Sequence, residues 1–399
     1  MDFEETKAAY DQYVMHSYGR FDVALVSGKG ATATGVDGKT YIDFGSGIGV
    51  NSLGYADDGW VKAVTGQAAK IAHISNLYYS PVQAECAKLF CERTGFSRVF
   101  FANSGAESNE GLIKLARKYS FDKYGKGRST IVALNNSFHG RTVTTLSATG
   151  QDVFHNYFFP FTDGFRFVDA NDIAGLEAAV QGDVCAILME AVQGEGGVYP
   201  LDKAFVDKAA QLAEEKDVLL CFDEVQCGIG RTGHIFGFEE FGVKPDIVSC
   251  AKALAGGLPM GAVLSGEKCK DVFTPGTHAT TFGGTPICCA AAVEVLSRVT
   301  EPAFLQAVRE KAAYIRAELE KLPGVHNIRG LGLMLGFEVE GVDSRQAAVL
   351  AAEDGLLILT AKTAMRMLPP LTITKAEIDK GLSILAGVLD RLRAGAAAR

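Results

Sequence analysis

The chain has 399 residues, is 48% hydrophobic and 22% charged, and carries a formal net charge of −8, the profile of a globular protein long enough for two or more domains. An acidic chain without a basic run lacks the electrostatic footprint of a nucleic-acid binder. Its longest uncharged run, Val272 to Val293, is broken by Pro275, His278, Gly283, Gly284 and Pro286 and makes a poor membrane span, while the acidic start (Asp2, Glu4, Glu5) is unlike a secretory signal, so a cytoplasmic location is expected.

Along the chain, residues 21–50 read as two short hairpins, with Asp37-Gly38 as the turn between Ala33-Thr34 and Thr40-Tyr41-Ile42. A helix follows with Ser80 as its cap, Pro81 at its first position, Gln83 closing a capping box and Gly95 ending it. Apolar strand candidates then alternate with helical stretches: Val99–Phe101, Ile131–Leu134, Val184–Met189, Val218–Phe222, Ile247–Cys250 and Ala262–Leu264, with helices such as 107–121 and 203–216 between them. Continuous apolar strands alternating with helices predict an α/β fold around a mainly parallel sheet covered on both faces. The C-terminal third reads differently: one long helix over 286–320, strands at 333–339, 356–360 and 366–368, and a closing helix from Thr374 with Glu377 in its capping box. The pattern suggests a smaller α+β domain, with which the N-terminal hairpins would pack. The nine cysteines (86, 91, 185, 221, 227, 250, 269, 288 and 289) form no CxxC pair and no zinc spacing; no metal is expected, and buried free thiols fit a reducing compartment.

In an open α/β sheet, ligands bind beyond the carboxyl ends of the strands, so the polar residues that end the apolar runs are the ones that matter. They are Ser104, Glu190, Asp223 and Lys252. Asn103-Ser104-Gly105-Ala106-Glu107 is a strand-to-helix turn whose free amides suit a phosphate; taken alone, Ser104 with Glu107 is also an ordinary capping box. Lys252, between an apolar strand and Gly256-Gly257, has the setting of a nucleophilic amine with a depressed pKa, although a surface lysine at a strand end would read the same way. Asp223 could keep a pyridine nitrogen protonated or act as a Mg²⁺ ligand or helix cap, but no GxxxxGK[ST] loop accompanies it. Phe138 could stack on a planar ring or simply fill the core. Arg141 could bind a carboxylate with two prongs. His139, between them, reads as a spacer.

Together these segments resemble the class III aminotransferases of the ornithine/acetylornithine subgroup. The resemblance is carried by Gly38-Lys39-Thr40-Tyr41-Ile42-Asp43-Phe44, Asn103-Ser104-Gly105-Ala106-Glu107-Ser108-Asn109-Glu110, Ser137-Phe138-His139-Gly140-Arg141-Thr142, Gln193-Gly194-Glu195-Gly196-Gly197-Val198, Phe222-Asp223-Glu224-Val225-Gln226, Gly230-Arg231-Thr232-Gly233, Lys252-Ala253-Leu254-Ala255-Gly256-Gly257 and His278-Ala279-Thr280-Thr281-Phe282-Gly283-Gly284. It implies the fold-type I architecture of pyridoxal 5'-phosphate enzymes and a homodimer with its site at the subunit interface. The implied division is an N-terminal segment at 1–50 packing with the small domain, a large cofactor-binding domain at 51–284, and a C-terminal small α+β domain at 285–399. Lys252 would hold the cofactor as a Schiff base and Asp223 would pair with its ring nitrogen. Gly105 and Ala106 would take the phosphate, Phe138 would stack on the ring, and Gln226 would lie by the ring hydroxyl. Glu224 and Val225 would also touch the cofactor, and Thr281 would reach the phosphate from the partner subunit.

The motifs look most similar to the acetylornithine aminotransferases of arginine biosynthesis, which move an amine from N2-acetyl-L-ornithine to 2-oxoglutarate. On that likeness Arg141 binds a substrate carboxylate and Thr280 lies beside the acetylated donor. Glu195 and Arg366 form a switchable ion pair, with Arg366 taking the 2-oxoglutarate carboxylate when Glu195 moves away; an ordinary structural pair, or no contact at all, is the alternative. The chain departs from the family pattern at Tyr55-Ala56-Asp57-Asp58, Ala191, Thr280 and Thr285, positions that bear on substrate preference rather than on Lys252 or Asp223. Ornithine, succinylornithine and 4-aminobutyrate remain rival donors, and a same-fold aminomutase or a non-enzymatic binding protein are rival classes.

Overall fold

The computed structural model describes residues 1–397. Its centre is a seven-stranded sheet, in spatial order Arg98–Ala102, Gly261–Ser265, Ile247–Cys250, Leu219–Asp223, Val184–Met189, Thr130–Leu134 and Phe165–Val168. Only Gly261–Ser265 runs antiparallel to its neighbours; the others are parallel, so their carboxyl ends share one edge. Val184–Met189 and Leu219–Asp223 are buried along their whole length, as strands covered on both faces must be. Strand alternation divides the core in two. Leu219 and Cys221 face a layer with Leu112, Ile113 and Leu115 of the helix Gly105–Tyr124. Leu220 and Phe222 face the opposite layer, with Phe205 and Val206 of the helix Lys203–Glu215 and Val295 of the helix Pro286–Val299. Burial of each such side chain contributes about 1.5–3 kcal/mol, and truncating Phe222 to alanine would cost about 3–5 kcal/mol by opening a cavity there.

Two four-stranded sheets flank this core. Leu25–Lys29, Thr32–Gly35 and Thr40–Asp43 make an antiparallel meander, and Leu356–Leu357 adds in parallel to Thr40–Asp43, so the first and last thirds of the chain share a sheet. The second sheet orders Val325–Leu331, Met334–Val339, Ala364–Met367 and Leu359–Ala361, all antiparallel.

Some expectations are corrected. The helix expected over 286–320 is two, Pro286–Val299 and Pro302–Leu319: proline holds Glu301 in an extended conformation (φ −71°, ψ 132°). The strand expected at 356–360 is split between the two flanking sheets. Ser80 caps its helix by accepting from the Gln83 amide, but the Gln83 side chain donates to Asn76 at 2.9 Å instead of closing the box. The closing helix Lys375–Ala397 does carry the full box, with Thr374 and Glu377 bonded both ways. All nine cysteines are free, and all but Cys91 are buried. Among the described residues no helix is long and apolar enough to cross a membrane, and no cluster of His, Cys, Asp or Glu is arranged to hold a metal ion.

Candidate active site

At the carboxyl edge of the parallel strands lies a cavity of about 460 Å³. Three chain segments leave their strands here with the residues the strand-end argument singled out. Met189 leads into Glu190, Phe222 into Asp223, and Cys250 through Ala251 into Lys252; all three end residues line the cavity. Lys252 opens a short 3-10 turn with φ +40°, a left-handed conformation that costs a non-glycine residue about 1–2 kcal/mol. Hydrogen bonds hold the turn on both sides: Ser108 Oγ donates to the Cys250 carbonyl at 3.1 Å, Ser52 Oγ to that of Ala253 at 3.2 Å, and Trp60 Nε1 to that of Ala255 at 2.9 Å. Burial lowers the pKa of the Lys252 amine, while the charges of Glu195 and Asp223 work against that shift. The net effect favours the neutral, nucleophilic form.

Asp223 is buried and accepts hydrogen bonds on both oxygens. Its Oδ2 accepts from Asn109 Nδ2 and His139 Nδ1, each at 2.7 Å, and its Oδ1 from the Val225 amide at 3.0 Å. Asn109 also donates to the His139 carbonyl at 2.8 Å and accepts from Ser249 Oγ at 2.6 Å, so carboxylate, amide and imidazole form one rigid unit. Burial disfavours the charged imidazole, but the hydrogen bond and charge of Asp223, helped by Glu190, raise the His139 pKa. Glu190 accepts from the amides of Phe138 (2.9 Å) and Gly194 (3.3 Å); burial pushes its pKa up to about 7, against the charge of His139. Neither Asn109 nor His139 was singled out by the sequence argument. Their side chains reach Asp223 from 114 and 84 residues away.

The opposite wall is the start of the helix Gly105–Tyr124. Ser104 Oγ accepts from the Glu107 amide at 3.2 Å, while Glu107 Oε2 reaches back to the amide and side chain of Asn103 (2.8 and 2.7 Å). That leaves the amides of Gly105 and Ala106, both lining the cavity, without acceptors among the described residues. A Cβ at position 105 would stand 2.7 Å from Val225 Cγ1, so only glycine lets the helix start approach this closely. Phe138 and Val225 supply apolar wall. Glu195 lines the same space and is ion-paired to Arg366 at 2.6 Å; Gln226 lies between, donating to Glu195 at 3.3 Å and accepting from Arg366 at 3.2 Å. Burial pushes the Glu195 pKa up, but Arg366, Lys252 and Gln226 outweigh that and hold it below the ordinary value. Arg366 Nε is buried with no partner among the described residues.

Three expected residues lie elsewhere. Strand alternation sends Asp223 toward Asn109 and turns the Glu224 side chain to the opposite face, where it accepts from the amides of Gly237 (2.8 Å) and Phe238 (2.9 Å). Thr280 stands one residue back from the cavity, its hydroxyl accepting from Asn103 at 2.9 Å. Thr281 is exposed on the surface, outside this chain's own cavity. The displaced Glu224 carries a testable consequence. Burial pushes its pKa up to about 8, so between the ordinary value of 4.5 and 8 the folded state binds more protons than the unfolded, and this group's contribution to stability falls as pH rises. Thermal melts of wild type and Glu224→Gln from pH 5 to pH 8.5 are expected to show the variant gaining on wild type as pH rises; a constant difference would refute the protonated buried carboxyl.

An amide pair for an anion, a buried amine, a fixed carboxylate and apolar walls are the donor set that a phosphorylated pyridine aldehyde requires. The sequence model of the class III aminotransferases matches residues 13–389. This chain belongs to that family. The aminotransferase is 49% identical to the acetylornithine aminotransferase of Haemophilus ducreyi, over 98% of this chain and 100% of the relative. It is 43% identical to that of Methanocaldococcus jannaschii, over 96% and 97%. Among solved structures it superimposes on the ornithine aminotransferase of Toxoplasma gondii with a TM-score of 0.94 at 31% identity, covering 99% and 96% of the two chains. The acetylornithine aminotransferase of Elizabethkingia anophelis gives 0.87 at 30% identity, covering 98% and 100%. The aminotransferase therefore has the fold-type I architecture and uses pyridoxal 5'-phosphate, and the residues lining the cavity fit that group.

Proposed function

We propose that this aminotransferase moves the δ-amine of N2-acetyl-L-ornithine to 2-oxoglutarate, giving N-acetyl-L-glutamate 5-semialdehyde and L-glutamate in arginine biosynthesis. The observation that carries the reading is the 49% identity, over essentially both full lengths, to a relative named for that donor. When bound, the cofactor supplies an aldehyde that accepts the amine and a ring that withdraws electrons from the substrate carbon. In this reading Lys252 would hold the cofactor, and its amine would serve as general base and acid toward the substrate carbon. Asp223, held by His139 and Asn109, would keep a proton on the ring nitrogen. The amides of Gly105 and Ala106 would bind the phosphate, Phe138 and Val225 would pack on the ring, and Gln226 would serve its hydroxyl. Arg141 takes a substrate carboxylate, while Thr280, one residue back from the cavity, holds the side chain of Asn103 at its wall. Glu195 neutralises Arg366 while the donor is bound and yields it to 2-oxoglutarate in the second half-reaction. Thr281, exposed on its own subunit, completes the phosphate site of a partner in a homodimer. The buried free thiols favour a reducing, cytoplasmic setting.

Initial rates with N-acetylornithine, ornithine, succinylornithine and 4-aminobutyrate test the assignment. The kcat/KM for N-acetylornithine is expected to exceed those for ornithine and 4-aminobutyrate by about tenfold or more, the scale of one well-placed polar contact, with turnover strictly dependent on 2-oxoglutarate. A clear preference for 4-aminobutyrate, or turnover without any acceptor, would sink it.

A further inference from the structure

Arg141 lines the cavity beside Phe138, yet among the described residues its guanidinium has no carboxylate or carbonyl partner. Aromatic rings hold it instead. Its Cζ lies 4.1 Å from the centroid of Phe154 and 5.4 Å from that of Phe138, and the two rings meet edge to face, 5.9 Å apart at 79°. A guanidinium seated over a ring at this distance is in reach of face-on stacking, which has a consequence that an ion pair does not. It uses the face of the guanidinium and leaves the N–H donors at its edge free for a planar, two-pronged acceptor. It also restricts a long side chain that would otherwise lose substantial rotamer entropy on binding a ligand.

Phe154 is itself well anchored. It closes the one-turn 3-10 helix Asp152–Phe154, and its amide donates to the Gln151 carbonyl at 3.0 Å. Gln151 Nε2 donates to the Ser137 carbonyl at 2.9 Å and the Gly150 amide to Ser137 Oγ at 3.0 Å, so the segment bearing Phe154 is tied to the one that carries Phe138 and Arg141. The neighbouring His155 ring bonds the Leu146 carbonyl at 2.9 Å. Further along the loop Tyr157, Phe158 and Phe159 are exposed, whereas Phe154 turns inward and is half-buried.

We propose that Phe154 is a positioning residue of the substrate site, holding the Arg141 guanidinium face-on so that its donors meet the substrate carboxylate. This rests on the reading that Arg141 takes that carboxylate. The test compares N-acetylornithine with N-acetyl-1,4-diaminobutane, the same amine without the carboxylate. Phe154→Leu keeps the apolar volume and removes the ring; Phe154→Tyr keeps the ring. The leucine variant is expected to raise KM for N-acetylornithine about two- to fivefold, the scale of a cation–π contact at an exposed arginine, with a much smaller change in kcat and none in KM for the carboxylate-free amine. The tyrosine variant restores the wild-type KM. In an Arg141→Ala background, which raises the same KM on its own, Phe154→Leu adds nothing further. If the leucine variant raises KM for both amines alike, Phe154 is only packing and the proposal is overturned. It is equally overturned if Phe154→Leu leaves KM unchanged while Arg141→Ala raises it. An Arg141→Ala variant with an unaltered KM removes the reading of Arg141 and the proposal with it.

Discussion

Lys252→Ala is expected to lower turnover by about a thousandfold or more, the combined scale of a lost covalent anchor and a lost general base. Among the described residues no other amine is placed to substitute: Lys252 is the only lysine of those that line the cavity. The fold should survive. Burial depresses the Lys252 pKa, so in the cofactor-free protein the native state binds fewer protons here than the unfolded chain does up to the ordinary value of 10.5. The amine therefore burdens the native state most at low pH, and less as pH rises. The alanine variant should accordingly melt no lower than the cofactor-free wild type at pH 7, with any gain shrinking toward alkaline pH. A variant that melts normally and still turns over within about tenfold of wild type would show that position 252 is not the reacting amine.

Asp223→Asn is expected to reduce kcat by about a hundredfold or more, because a neutral side chain cannot stabilise a proton on the ring nitrogen through the reaction. Asp223→Ala should lose activity to at least the same degree and also lose stability. It leaves the donors of Asn109 and His139, now 2.7 Å from Asp223 Oδ2, buried and unpaired, at about 1–3 kcal/mol each. The pair separates charge from scaffold: kcat falls in both variants, and the larger drop in Tm belongs to alanine. An asparagine variant within about threefold of the wild-type kcat would mean that the charge at 223 is not used in the chemistry.

Much of this site is written locally. Apolar runs such as Val184–Met189 and Leu219–Phe222 are continuous because both sheet faces are covered, and the polar residue ending each run marks the binding edge. What escaped depends on three-dimensional neighbours. His139 looks like a spacer between Phe138 and Gly140 until the fold swings it against Asp223. Glu224 sits in the motif beside Asp223, but the period of two along the chain sends it to the other side of the sheet. Phe154 lies outside every motif and draws notice only through the Arg141 guanidinium that the fold seats over its ring. Among the elements, the helix Phe3–Tyr13 buries no residue, so it has no core-facing stripe to read. The edge strand Phe165–Val168 is mostly half-buried and lacks the apolar run of its neighbours. The break at Pro302 carried a local signal that the apolar periodicity on either side obscured.

Borohydride reduction of the cofactor-loaded enzyme, followed by proteolysis and mass mapping, bears most directly on the account. The phosphopyridoxyl mass is predicted on the peptide containing Lys252 and on no other peptide. Its appearance on a different lysine, or its absence from every peptide of a protein that turns over substrate, would contradict the site described above.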